Sequence, residues 1–240
     1  MSVWELLIIL VFTAAGATIH ASVGLGIGLV AGPVLIAVDP AFLPGPTIMA
    51  TLLLTGRHLL VEGRHADRET IGRAALGVPV GLAVGLAVVA LADDRTMRIV
   101  IGSAIVIAAA VLLLGVHVTR TSRTDVTGGG VYGLGMITAG VPGPAAAVAF
   151  NDLPPSVYRG TMGYMGTTVG LVSLVLLAAA GQFGAEQLVL AGLMVPGVAV
   201  GLFAARWVRP ALDRAWFRPV VLWLAAGGGA VVAVGAFTSG

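Results

Sequence analysis

Long apolar stretches alternate with short charged breaks along the whole chain, and their lengths define the elements. From Leu6 to Val38 the only titratable side chain is His20. As one helix these 33 residues would measure about 50 Å, against a hydrocarbon core of about 30 Å. A single straight span is excluded. The segment is either a helical hairpin or a helix followed by a re-entrant piece, with the turn between His20 and Gly28. Inside it, Ala21 to Val38 is a poor continuous helix. Gly24, Gly26 and Gly28 each cost about 1 kcal/mol relative to Ala in a helix interior. Pro33 then removes a backbone donor and clashes with the preceding turn. Asp39-Pro40 closes the segment.

The remaining pattern predicts spans at 43–61, 74–92 and 99–118, then a second broken segment from Val126 to Phe150 that ends at Asn151-Asp152. Spans at 160–180, 187–205 and 219–237 follow. The order in the two halves is the same. Gly24-Leu25-Gly26 matches Gly133-Leu134-Gly135, Gly32-Pro33 matches Gly143-Pro144, and Val78-Pro79 matches Val195-Pro196. The expected organisation is one membrane domain of two repeats, 1–118 and 126–240, joined by a cytoplasmic loop at 119–125. Two interrupted apolar segments in corresponding halves are the best sequence pointer to a transporter's binding site.

Composition settles the class. The chain is 58% hydrophobic and 10% charged, where soluble domains carry about 25% charged residues, and its mean hydropathy is +1.03. This is the composition of an all-α integral membrane protein, with the lipid bilayer as its solvent. Residues 1–19 lack the basic start and small-residue end of a cleaved signal peptide. With no Cys, neither a disulfide nor a thiolate metal site is available. All 13 basic residues are Arg and lie in or beside the loops, so the net charge of +2 speaks for membrane topology and not for nucleic acid.

The arginines also choose between topologies. If each broken segment crossed the bilayer once, loops 62–73 and 206–218 would fall on opposite sides, against the positive-inside rule. If each returns to its starting side, the repeats are inverted, each a glycine-rich broken or re-entrant hairpin plus three transmembrane helices. Loops 62–73, 119–125, 151–159 and 206–218 are then cytoplasmic, and the Arg-free turn 181–186 is outside with both termini. Only turn 93–98 places arginines outside, Arg95 and Arg98 against Asp93 and Asp94.

Several residues could carry chemistry. Unwound backbone survives in lipid only when buried in protein or lining a wet cavity. Breaks at Gly24–Gly28 and Gly133–Gly143 would also create new helix N-termini whose free N–H groups suit an anion. The plain alternative is that these glycines only let helices approach. Arg57-His58 sits near a span end, where Arg57 either contacts a substrate or snorkels to the headgroups beside Glu62. Arg159, just before its span, reads as an anchor of the positive-inside kind. His20, the most interior titratable group, could hold an anion, relay protons, or simply bond backbone. His117, near a helix end, reads as structural. Thr47, Thr51, Thr161, Thr167 and Thr168 offer hydroxyls after the breaks, although Thr in membrane helices commonly bonds its own preceding turn. The HExxH, Gly-x-Ser-x-Gly and phosphate-loop patterns are missing, so neither enzymatic chemistry nor a cofactor is expected.

The cluster Gly24-Leu25-Gly26-Ile27-Gly28, then Pro33, then the Thr-bearing stretch from Pro44 to Thr51 resembles the sulfite exporter TauE/SafE family. A second copy runs through Gly133, Gly135, Gly140, Pro142, Gly143 and Pro144 to Thr161–Thr168. The first cluster departs from the family's consecutive glycines, and the second carries additional prolines. The resemblance implies export of sulfite or a small organosulfonate across the inner membrane. By themselves the residues imply a transporter of a small anion, with Gly24, Gly26, Gly28, His20, Thr51, Arg57, Gly133, Gly135, Gly143 and Thr167 as the candidate lining. A passive channel and a non-transporting scaffold are the alternatives, and two copies could pair as a homodimer.

Overall fold

The protein is described from a computed structural model over residues 1–24, 26–115, 119–142, 150, 153–212, 223, 226–232 and 234–235. Every regular element among them is helical. In chain order these are α1 (Val3–Val23), α2 (Ile27–Val30), α3 (Gly32–Val38), α4 (Gly45–Glu62), α5 (Arg68–Leu91), α6 (Asp94–Leu113), α7 (Ser122–Ala139), α8 (Pro155–Ala179) and α9 (Ala185–Leu212). Short 3₁₀ turns precede and follow α4, at Pro40–Phe42 and Gly63–His65.

Helix starts follow the capping chemistry in the sequence. Ser2 and Glu5 form a reciprocal capping box on α1 (3.2 and 2.7 Å), and Thr121 and Thr124 do the same on α7 (3.2 and 2.7 Å). Asp67 caps α5 by accepting from the Glu69 and Thr70 N–H groups, each at 3.1 Å. Helix ends are equally specific. Both α1 and α7 stop on a left-handed glycine, Gly24 at φ 91° and Gly140 at φ 65°. A Cβ opposes that backbone conformation, so Gly is the natural residue there.

α1, α5, α8 and Ala185–Val208 of α9 are each long and apolar enough to cross a membrane. Large apolar side chains point outward from the helices, Leu60 at 88% and Leu76 at 71% exposure among them. Such a surface suits lipid and makes this a membrane protein.

Small residues set the helix pairs and their directions. Along α5, Gly77 faces Gly130 of α7, Gly81 faces Leu134, and Gly85 faces Ile137 and Thr138, so α5 and α7 run parallel. α1 and α9 also run parallel, with Gly197 against Leu10 and Thr13 and Gly201 against Ala14 and Thr18. By contrast, α4 and α8 are antiparallel. Gly160 meets Glu62, Gly163 meets Leu59, Gly166 meets Thr55 and Gly170 meets Leu52. Several of these glycines sit on a neighbour's backbone, an approach that no larger residue allows.

Two ends result. At one, Arg120 pairs with Asp67 (2.6 Å), Arg73 and Arg120 reach Asp125 (3.4 Å each), and Arg159 pairs with Glu62 (2.7 Å). At the other, residues 39–44, 92–97 and 182–187 surround a cavity of about 270 Å³, with Asp39, Gln182 and Gln187 in its wall.

Several sequence expectations need correction. α5 starts at Arg68 inside the expected loop 62–73, α7 at Ser122 inside 119–125 and α8 at Pro155 inside 151–159. α7 runs unbroken through Gly133 and Gly135, and its interruption falls at Gly140. Gly133 keeps its helix where α5 packs on it: a Cβ there would lie 2.7 Å from the Val78 carbonyl oxygen. In addition, α9 continues through Arg206 and Arg209 to Leu212, where a loop was expected from Arg206. The Arg206 guanidinium lies over the Phe203 and Trp207 rings, 3.6 and 3.9 Å from their centroids, which shields the charge within a helix. Gly143, Pro144, His117, Asn151-Asp152 and most of the final span lie outside the described residues.

Candidate functional site

α1 ends on Gly24, and from Gly26 the chain doubles back as the short helices α2 and α3, with Ile27 against Gly16. Gly26, at φ 143°, precedes α2 and has no side chain to cap it. α7 unwinds at Gly140, whose N–H donates to the Met136 carbonyl (2.8 Å), while the Val141 N–H turns back to the Gly135 carbonyl (3.0 Å). The two interruptions touch. A Cβ on Gly28 would fall 2.9 Å from the Val141 Cβ, inside that side chain's envelope.

Between them lies a cavity of about 10 Å³, room for about one water molecule. One interruption contributes His20, Gly24, Gly26, Ile27 and Gly28, and the other contributes Gly140, Val141 and Pro142. Thr55, Tyr132 and Met162 complete the wall together with Leu29. Among the described residues, no carboxylate lines it.

α4 supports the site with three threonines one turn apart. Thr51 donates to the Gly140 carbonyl (3.4 Å), one of the acceptors a helix end leaves unpaired. Thr55 donates to the Thr51 carbonyl (3.0 Å), and Thr167 of α8 donates to the Thr55 hydroxyl (3.4 Å). Thr47 donates to the Phe42 carbonyl (2.9 Å), and its methyl packs where a Gly140 Cβ would stand.

Two histidines lie alongside. His20 and His58 stack with ring centroids 6.0 Å apart and planes 27° from parallel. His58 Nε2 donates to the Ala21 carbonyl (3.2 Å) in the last turn of α1. His20 is 4% exposed, and neither of its ring nitrogens has a hydrogen-bond partner.

The structure therefore gathers His20, Gly24, Gly26 and Gly28 in one wall, with Thr51 and Thr167 one contact behind it. Gly135 closes the second interruption through its carbonyl. Gly133 faces α5 instead, and Arg57 is exposed on the outer side of α4. Thr55, Tyr132 and Met162 join the wall without having been singled out by sequence. Only Thr55 left a signal, as the third member of the four-residue spacing Thr47, Thr51, Thr55.

The model of the family described as Sulfite exporter TauE/SafE matches residues 8–236, nearly the whole chain. The chain belongs to the sulfite exporter TauE/SafE family. Both interruptions and every described lining residue fall within the TauE/SafE match. No curated protein and no solved structure matches this TauE/SafE chain.

Proposed function

We propose that this protein is a multi-pass secondary transporter of the bacterial inner membrane that exports a small anion, sulfite or an organosulfonate. Its site is the cavity between the two interruptions. The observation that carries the reading is the contact of Gly28 with Val141 beside a cavity whose described lining holds no carboxylate. Backbone N–H groups at the start of α2, the Tyr132 hydroxyl and His20 are donors, and donors are what an oxyanion needs.

We read the two halves as inverted repeats. Support comes from the reciprocal pairing of α1 with α9 and α5 with α7, together with antiparallel α4 and α8. If α4 corresponds to α8, a two-fold relation that reverses them lies in the membrane plane. Under the same reading the arginine-paired end is cytoplasmic and the 270 Å³ cavity opens outside. A cavity for about one water is too small for a pore, so the cargo passes when the halves shift and alternate access.

The test is a thermal-shift panel on purified protein with sulfite, sulfonates, sulfate and carboxylates. An anion at 100 times its Kd adds about 2.7 kcal/mol of stability if it binds only the folded state. Saturable sulfite or sulfonate flux in proteoliposomes completes the case. Flux without saturation or counterflow would indicate a channel, and no response to any anion would indicate a scaffold.

A further inference from the structure

We propose that His20 is a proton site, and that the anion occupies the cavity together with one proton held on the His20 imidazole. This rests on the anion reading above and adds to it the coupling ion.

Buried polar groups are almost always hydrogen-bonded, and each exception calls for a reason. Both His20 nitrogens are such exceptions, on a ring 4% exposed that forms part of the cavity wall. The ring is held in place. His58 stacks on it, and His58 is itself tied to the Ala21 carbonyl at 3.2 Å.

What faces His20 decides which partner its charged form can have. From α4 comes His58, and beyond it Glu62, already paired with Arg159 at 2.7 Å, and exposed Arg57. From α7 comes Tyr132. From α8, Tyr158 and Arg159 pack at Gly24. α2 and α3 contain no titratable residue, and neither does α9 over 197–205, where it crosses α1. Among the described residues, an imidazolium at His20 thus meets no free carboxylate. A buried charge without a partner is expensive, and an anion in the cavity supplies the partner. Proton and anion then favour each other's binding by the same factor.

The chemistry is a simple proton transfer. A proton from solution adds to the lone-pair nitrogen of neutral imidazole, giving two N–H donors beside the anion. On release the proton leaves the ring as the anion departs. Each cycle moves one proton with each anion, and no other group changes oxidation or bonding.

Calorimetric titration of the purified protein with methanesulfonate, whose charge is fixed across the range, tests this. Repeating it in buffers of different ionisation enthalpy counts protons. The expected result is uptake of about one proton per anion, with the Kd rising towards tenfold per unit of increasing pH. His20→Gln should still bind, more weakly, with no uptake and a flat pH profile. His20→Asn gives the same reading should the Gln variant fail to fold. Binding without uptake in the wild-type protein overturns the proposal and leaves the anion site standing. So does uptake that persists in His20→Gln and vanishes in His58→Gln. No binding of methanesulfonate or sulfite overturns both.

Discussion

Gly28 of α2 lies directly against Val141, the residue that follows the left-handed end of α7. This contact joins interruptions more than 100 residues apart in sequence, and it leaves no room for a Cβ on Gly28. Gly28→Ala should therefore cost about 1–3 kcal/mol from overpacking and abolish anion-dependent stabilisation. Trimming the partner in Gly28→Ala/Val141→Ala should recover part of both. Thermal midpoints of the four proteins of this cycle, with and without sulfite, measure the coupling.

The glycines between α5 and α7 should behave differently. A Cβ on Gly81 would meet the α7 backbone, with the Leu134 N–H 2.8 Å away, so Gly81→Val must push two helices apart. The expected outcome is loss of folded protein, seen as collapse of the monodisperse detergent peak. Gly56 and Gly192 have open space around them. Ala at either should be neutral or stabilising by up to about 1 kcal/mol.

Composition alone does not separate these two kinds of glycine, which is why the first interruption was legible and the second was displaced. Gly24 to Gly28 is followed by Pro33 and, among the described residues, has no opposing glycine helix to pack on, so its weakness as a helix is expressed. Gly133 and Gly135 have the same local sequence, yet α5 brings Gly77, Gly81 and Gly85 to the Gly133 face and the helix stays whole. The deciding partner is over 40 residues away. The Arg57-His58 pair shows a simpler limit. Adjacent helical positions point about 100° apart, so one faces outward and the other faces His20, and a run of apolar neighbours does not say which.

Arg57→Gln should consequently leave anion stabilisation unchanged. The side chain is exposed on the outer side of α4 and takes no part in the cavity wall. A loss of anion response in that variant would place Arg57 in the site after all.

The charged end is a stability element. Asp125 is fully buried between Arg73 and Arg120. Asp125→Asn leaves both guanidinium groups without that charge and should cost about 1–3 kcal/mol. Chemical denaturation at fixed detergent concentration would show it as a lower midpoint with the slope retained.

Asp67 gives this end a pH dependence. Burial is the largest single influence and pushes its carboxyl up, but the Thr70 hydroxyl and N–H together with Arg120 outweigh it and hold the group below the usual carboxylate range. With the folded value depressed, the stabilisation is present above the unfolded value of 3.8 and is lost as pH falls through the folded one. Asp67→Asn should be less stable near neutrality and should lose less on acidification below about pH 4 than the wild type. Thermal midpoints across that range check the sign.

The site itself is tested most directly by labelling, because the protein has no cysteine of its own. Thr55→Cys places one thiol in the cavity wall, in a space for about one water that a small thiol reagent enters only when the site opens. With a sulfonate present, the labelling rate should fall saturably as the anion fills the cavity, while a control cysteine at exposed Arg64, in the turn after α4, labels at a constant rate. A Thr55→Cys rate that no sulfonate, sulfite or other anion changes would contradict an anion site between the two interruptions.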